Sequence, residues 1–174
     1  MDPGSNQLLL IDLTERRTET LQLSRGHFEK YLGGIGLGAR LLLDYCSPGV
    51  DPLSAHNPLV FVTSPLAATL VPAGNKHAVV TKSPLTGMIG DSLSGSFWSG
   101  ALRLAGYQAL VITGASDALT YVFIDDGRVH FRRASHLAGL GCWETEEAIR
   151  RELKDGRIRV ATIGPAGERM VRYA

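Results

Sequence analysis

Cysteine is nearly missing from this chain of 174 residues: Cys46 and Cys142 are its only two, far apart and neither within a C-x-x-C. No metal-ligand spacing exists between them, and such sparse use suits a reducing, cytoplasmic compartment. The five histidines, at 27, 56, 77, 130 and 136, fall into no H-x-H or H-x-x-x-H pattern, and no nucleophile–base pair stands out. An apolar run near the roughly 20 residues that span a bilayer is missing, as is a charged-then-apolar leader. An excess of one charge is missing too: 18 Lys and Arg stand against 17 Asp and Glu, a net +1. Nucleic acids and membrane surfaces both attract a basic footprint, so neither is an expected partner. The arginine pairs at 16–17, 132–133 and 150–151 are scattered and read as solvated faces.

What is present is enough for a folded core. A 44% hydrophobic and 20% charged composition fits one ordinary globular domain or two small halves. Residues 1–7 read as a disordered or cloning-derived leader and 8–174 as the domain. Apolar alternation over 8–13 and 18–23 predicts an N-terminal hairpin. Ser24 can cap a short helix through Leu32, ended by Gly33 and Gly34. A second helix runs to about Cys46, with Ile35, Ala39, Leu42, Leu43 and Cys46 as one buried stripe. Cys46 is then a buried thiol, and Cys142, beside Trp143 at a helix start, is structural. Strands are predicted at 59–63, 77–82, 108–113, 119–124, 128–133 and 157–163. Helices are predicted at 98–105, with Trp98, Ala101, Leu102 and Ala105 inward, and at 144–154. The acid-before-base pairs Glu146–Arg150 and Glu147–Arg151 favour an exposed face on the latter. The segment 164–168 reads as a loop, and a further element begins at 170. Hairpins with interspersed helices, in this order, predict an α+β fold rather than a regular βαβ repeat.

The stretch 71–97 concentrates glycine, serine, threonine and two lysines around one short apolar run. A β ribbon with two small-residue loops would bring backbone N–H groups close to a polar, anionic ligand. Lys76 follows Gly74 and Asn75 at a turn and could reach an anion held against the loop 91–96. His77 lies in the same ribbon, and Asp91 there is a turn former or a contact to a cation or hydroxyl. The two preceding strands also share an echo, each ending in Ser-Pro-Leu, at 64–66 and 83–85. These are read as paired, similarly built corners. Residues 34–39 satisfy the dinucleotide fingerprint G-x-G-x-x-[G/A], yet a helix precedes them where a strand is needed. A close-packed helix–helix corner is the favoured reading, with nucleotide binding as the weaker one.

Eight blocks, in order, carry a family resemblance: Y-L-G-G-x-G-L-G-A-R-L-L (31–42), V-D-P-L-S (50–54), T-K-S-P-L-T-G (81–87), A-G-Y (105–107), I-D-D-G (124–127), A-S-H-L (134–137), E-T-E-E-A (144–148) and I-G-P-A-G-E (163–168). Together they resemble the N-terminal domain of the tungsten-containing aldehyde:ferredoxin oxidoreductases, over nearly the whole chain. The resemblance implies a base of two β-sheets carrying a bis-pterin, tungstopterin or molybdopterin, with magnesium bridging its phosphates. It implies oxidation of aldehydes to carboxylic acids, with electrons leaving through an iron–sulfur cluster to ferredoxin. Lys76 falls where the family has an arginine between pterin and cluster. Lysine keeps the charge and loses the planar fork. Leu93, Ser94 and Gly95 match the loop that approaches the cofactor phosphates; asparagine is frequent where Leu93 stands, but a backbone carbonyl contact survives that change. No catalytic residue and no side-chain metal ligand is carried over.

Other family parts are missing from the sequence. Two cysteines cannot ligate a four-iron cluster, which needs about four thiolates, and the family's D-x-x-G-L pterin motifs are not found. The resemblance therefore implies a partner, the remainder of the oxidoreductase bearing the cluster, and an isolated chain without turnover. Homo-oligomerisation is compatible with it. The other reading of the same residues is a stand-alone, non-catalytic binding or assembly module.

Overall fold

A computed structural model describes residues 6–173. Alternation in Q-L-L-L-I-D forms β1 (Gln7–Asp12), which a short turn joins to the antiparallel β2 (Arg17–Gln22). The strand begins at Gln7, the last residue of the expected leader, and residues 1–5 lie outside the described residues. Two helices follow, α1 (Arg25–Tyr31) and α2 (Gly34–Tyr45). Then come β3 (Leu59–Thr63), β4 (Lys76–Lys82) and β5 (Ile89–Gly95), an antiparallel meander. Helix α3 (Phe97–Leu104) returns the chain to β6 (Tyr107–Thr113), which inserts between β1 and β3. The six-stranded order is β2-β1-β6-β3-β4-β5, with β1 and β6 parallel and the other neighbours antiparallel. A separate ribbon pairs β7 (Thr120–Asp125) with β8 (Arg128–Arg133). Helices α4 (Cys142–Leu153) and α5 (Pro165–Glu168) complete the mixed α+β fold with its two sheets.

The main sheet is covered on both faces. On one, Leu37, Leu41 and Leu42 of α2 pack on Leu8, Val60, Val62, Ala78, Val80 and Val111. On the other, Leu102 of α3 joins Leu9, Ile11 and Leu110, with Val122, Ile124, Val129 and Phe131 of the ribbon packed alongside. A third cluster, Ala134, Leu137 and Ile149, lies under α4.

Several expectations are corrected. Leu37, Gly38, Leu41 and Leu42 form the buried stripe of α2, whereas Leu43 is 75% exposed. The helix turns so that Gly38 can lie against Val80, and that contact outweighs the bulk of Leu43. On α3 the buried residues are Ser99, Gly100, Leu102 and Arg103, with Ala101 exposed. Residues 157–163 form no strand, because no described strand lies beside them; Ile158 and Val160 still alternate inward, onto the α4 cluster. The expected loop at 164–168 contains the short α5, with proline suited to its first turn. Residues 170–173 are turn and irregular chain, and Ala174 lies outside the described residues. Cys142 is exposed, and Cys46, the residue after α2, is only partly buried against the core.

Candidate functional site

One end of the main sheet gathers the residues singled out in the glycine-rich stretch. Lys76 opens β4 and is paired in register with Gly95, the last residue of β5; His77 pairs with Ser94, and Ala78 with Leu93. Residues 91–95 are therefore strand rather than loop, although all of them are exposed. Their serine and glycine content opposes strand formation by itself. Ladder bonds to the apolar β4 decide the outcome. β5 ends the sheet order, so its outer backbone edge faces no strand among the described residues. A Cβ at Gly95 would stand 3.0 Å from Lys76 Nζ. Any larger residue there would displace the ammonium group, so glycine lets the lysine lie across the strand end.

His77 and Lys76 point to opposite faces, as neighbours on a strand must. His77 is buried, 4.9 Å ring to ring from Trp98, and its Nδ1 has no hydrogen-bond partner. Burial holds its pKa below the ordinary histidine value, so the imidazole is neutral at pH 7. A buried nitrogen without a partner costs free energy unless something else completes it. A lone histidine without ligand spacing gave no sequence signal for this.

Asn75 was not anticipated at all. Its Oδ1 accepts the Ala68 N–H at 2.9 Å, and its carbonyl accepts the Ser96 N–H at 3.2 Å. A Cβ at Gly100 would meet Asn75 Oδ1 at 3.1 Å. One asparagine thus joins the loop before β4 to the start of α3, where Ser96 Oγ accepts the Trp98 N–H. Beneath them lies a reciprocal buried pair: Thr63 Oγ1 donates to the Gln108 carbonyl at 3.0 Å, and Gln108 Nε2 donates to the Thr63 carbonyl at 2.7 Å. The visible clue was weak, an Asn after Gly at a turn; its partners are remote in sequence.

The Ser-Pro-Leu echo proves to be geometry. Ser64 Oγ accepts the Leu66 N–H at 3.1 Å, and Ser83 Oγ accepts the Leu85 N–H at 3.2 Å, the same turn across each proline. β3 and β4 are antiparallel, however, so the corners sit at opposite ends of the sheet. Only the first adjoins Lys76, whose carbonyl accepts the Ser64 N–H. The fingerprint at 34–39 follows α1 rather than a strand. A Cβ at Gly36 would approach the Tyr31 carbonyl oxygen at 2.7 Å, and one at Gly38 the Val80 Cγ2 at 2.6 Å. These glycines serve close packing, as favoured. Asp91 sits on the exposed β5, and among the described residues no group of three or more His, Cys, Asp or Glu could hold a metal ion.

Chemically, this end offers a cation, an open strand edge, small residues that admit close approach, and a neutral buried imidazole beneath. Among the exposed side chains there, Leu66, Leu93 and Phe97 are apolar.

Comparison with known proteins shows the family of the chain. Residues 8–174 match the family described as aldehyde ferredoxin oxidoreductase, N-terminal domain. The chain is 43% identical over 146 residues to the tungsten-containing aldehyde ferredoxin oxidoreductase of Pyrococcus furiosus, covering 84% of this chain and 24% of that protein. It is 39% identical over 168 residues to the corresponding protein of Pyrococcus abyssi, covering 97% and 28%. A WOR-like subunit of an aliphatic sulfonate oxidoreductase from Pyrococcus furiosus is 31% identical, covering 98% and 29%. Among solved structures, the active-site complex of benzoyl coenzyme A reductase with 1,5-dienoyl-CoA superposes with a TM-score of 0.95 at 39% identity, covering 99% of this chain and 26% of that one. The chain spans about a quarter of the length of the relatives it matches.

Proposed function

Because the chain belongs to the aldehyde ferredoxin oxidoreductase N-terminal domain family, we propose that it forms one wall of a tungstopterin site in an aldehyde-oxidising enzyme. The observation that carries this is the end of the β4–β5 ribbon, where Lys76 lies against Gly95 and the outer edge of β5 faces no strand among the described residues. The residues fit a large anionic cofactor. The exposed edge of β5 offers backbone donors and acceptors at 93–95, Gly95 removes the side chain that would hold a ligand away, and Lys76 supplies positive charge.

When bound, the metal–pterin group supplies the two-electron chemistry that converts an aldehyde to an acid. The chain's own work is to bind, orient and exclude water. Lys76 neutralises anionic oxygen near the strand end, while Leu93 and Ser94 contribute backbone contacts and Leu93 a dry flank. The Asn75 and Thr63–Gln108 bonds hold that end rigid, so the groups need little reorganisation on binding. Magnesium between cofactor phosphates, molybdenum in place of tungsten, an iron–sulfur cluster on the remaining polypeptide and ferredoxin as acceptor extend the same proposal. No helix among the described residues is long and apolar enough to cross a membrane.

A second reading places the same wall in an enzyme of aromatic coenzyme A thioesters. It is favoured by the benzoyl coenzyme A reductase structure, as similar in sequence as the aldehyde enzymes. Assembly with the remaining polypeptide tests both readings. The wild-type assembly should contain tungsten and pterin and oxidise aldehydes, and Lys76→Gln should lower cofactor content several-fold. Turnover of aromatic thioesters alone would favour the second reading. An assembly that excludes pterin would leave the non-catalytic binding or assembly module.

A further inference from the structure

The segment 64–75, between β3 and β4, contains no charged residue. It is a loop whose ends meet: the Ser64 N–H donates to the Lys76 carbonyl at 2.8 Å. Leu70 within it is fully exposed, Leu66 and Val71 are about half exposed, and Pro65 and Pro72 face water as well. The loop is nonetheless fixed. Thr69 Oγ1 donates to the Leu66 carbonyl at 2.7 Å and accepts the Val71 N–H at 3.2 Å, so one hydroxyl joins the residues on either side of Leu70. The Gly74 N–H donates to the Val71 carbonyl at 3.1 Å, and Asn75 Oδ1 holds the Ala68 N–H. At the root, a Cβ on Gly33 would stand 2.8 Å from Pro65 Cδ, so the α1–α2 corner packs closely on the proline. Ala68 and Ala73 have φ of 62° and 58°. Left-handed backbone at alanine costs free energy and persists only where surrounding bonds over-determine the path. Those bonds also keep Leu70 from turning down onto its own core. A compact loop, held open with an apolar tip outward, gains only when something covers that tip.

We propose that the segment 64–75 is a preformed knob that seats Leu70 in an apolar socket on the remaining polypeptide of the enzyme. The inference rests on reading the Lys76 end as a cofactor wall. The relatives matched are far longer than this chain, which covers 24% and 28% of two of them. A large further body of polypeptide must therefore pack against this one. The loop closes at Lys76, the end that a second body has to enclose if a cofactor is held there. A loop without charge suits an apolar protein surface, because docking strips water from no ionised group. The Thr69 bonds order the tip beforehand, so little freedom is lost on contact.

The test maps hydroxyl-radical oxidation of Leu66, Leu70 and Val71 in the isolated chain and in the assembled enzyme with and without cofactor. Leu70 is expected to react readily in the isolated chain and to be shielded in both assemblies. Shielding only with cofactor would assign the cover to the cofactor, and equal reactivity in all three states would leave the knob uncovered. Shielding that grows with the concentration of the isolated chain would assign the face to a second copy. Each of these three results overturns the proposal. With the chain and the remaining polypeptide supplied separately, Leu70→Ser should weaken assembly about tenfold, and Leu70→Met should preserve it. Thr69→Ala should weaken assembly roughly threefold with Leu70 intact, and Thr69→Ser should recover most of that loss. The urea midpoint of the isolated Leu70→Ser chain should not move, since the side chain is already in water, which separates docking from folding. Equal assembly of wild type and Leu70→Ser also overturns the proposal. The cofactor wall fails separately, if Leu70 is shielded in an assembly that excludes pterin.

Discussion

Lys76 and His77 stand side by side on β4 and meet different surroundings. The lysine is exposed at the strand end, and the imidazole is enclosed with Trp98. The sign of the resulting pH effect is fixed by burial. The folded-state pKa of His77 is depressed, so between it and the unfolded value near 6.5 the unfolded chain binds more protons. The stability contribution is complete above that value and is lost as the pH falls below it. Urea unfolding from pH 7.5 down to pH 5 should show a steeper acid-side loss in the wild type than in His77→Leu. Parallel profiles would remove His77 as the cause. The exposed position of Lys76 at a turn was legible in the sequence, since Gly74 and Asn75 precede it. His77 and Asn75 were not, because what defines them is an enclosure and a set of partners at 68, 96 and 100.

At the scale of elements, the strands and helices were largely readable because period-two and period-3.6 patterns report local geometry. Errors came where a tertiary contact chose between local options. Helix α2 is the clearest case: its glycine faces the sheet at Val80 while Leu43 faces water. Gly38→Leu should destabilise the fold by about 1–3 kcal/mol through overpacking. Gly34→Ala meets open space, and its cost is the positive φ, about 1 kcal/mol. Chemical denaturation of the two variants separates the causes; equal losses would contradict the packing role of Gly38. β5 erred in the opposite direction, its small polar residues reading as loop until β4 supplied a ladder. The segment 157–163 kept Ile158 and Val160 inward but found no neighbouring strand, which is why a sequence that reads as strand is only turn and irregular chain.

At the scale of the whole molecule, the proposed site is one-sided. The chain corresponds to about a quarter of its relatives, and the end bearing Lys76, Leu93 and Phe97 exposes apolar side chains beside an unpaired strand edge. The family and α+β fold were legible from eight short blocks, because turn residues and glycine contacts recur in fixed order. The stacking of Arg159 on Phe97 was not, since it depends on remote segments meeting in space. Amide hydrogen exchange of residues 92–97 tests the wall most directly, comparing the isolated chain with the chain assembled into a cofactor-loaded enzyme. The amides of this stretch that point away from β4 should exchange freely in the isolated chain and become strongly protected in the loaded assembly, with less protection when cofactor is withheld. Equal, rapid exchange in all three states would mean that the β5 edge faces neither cofactor nor partner.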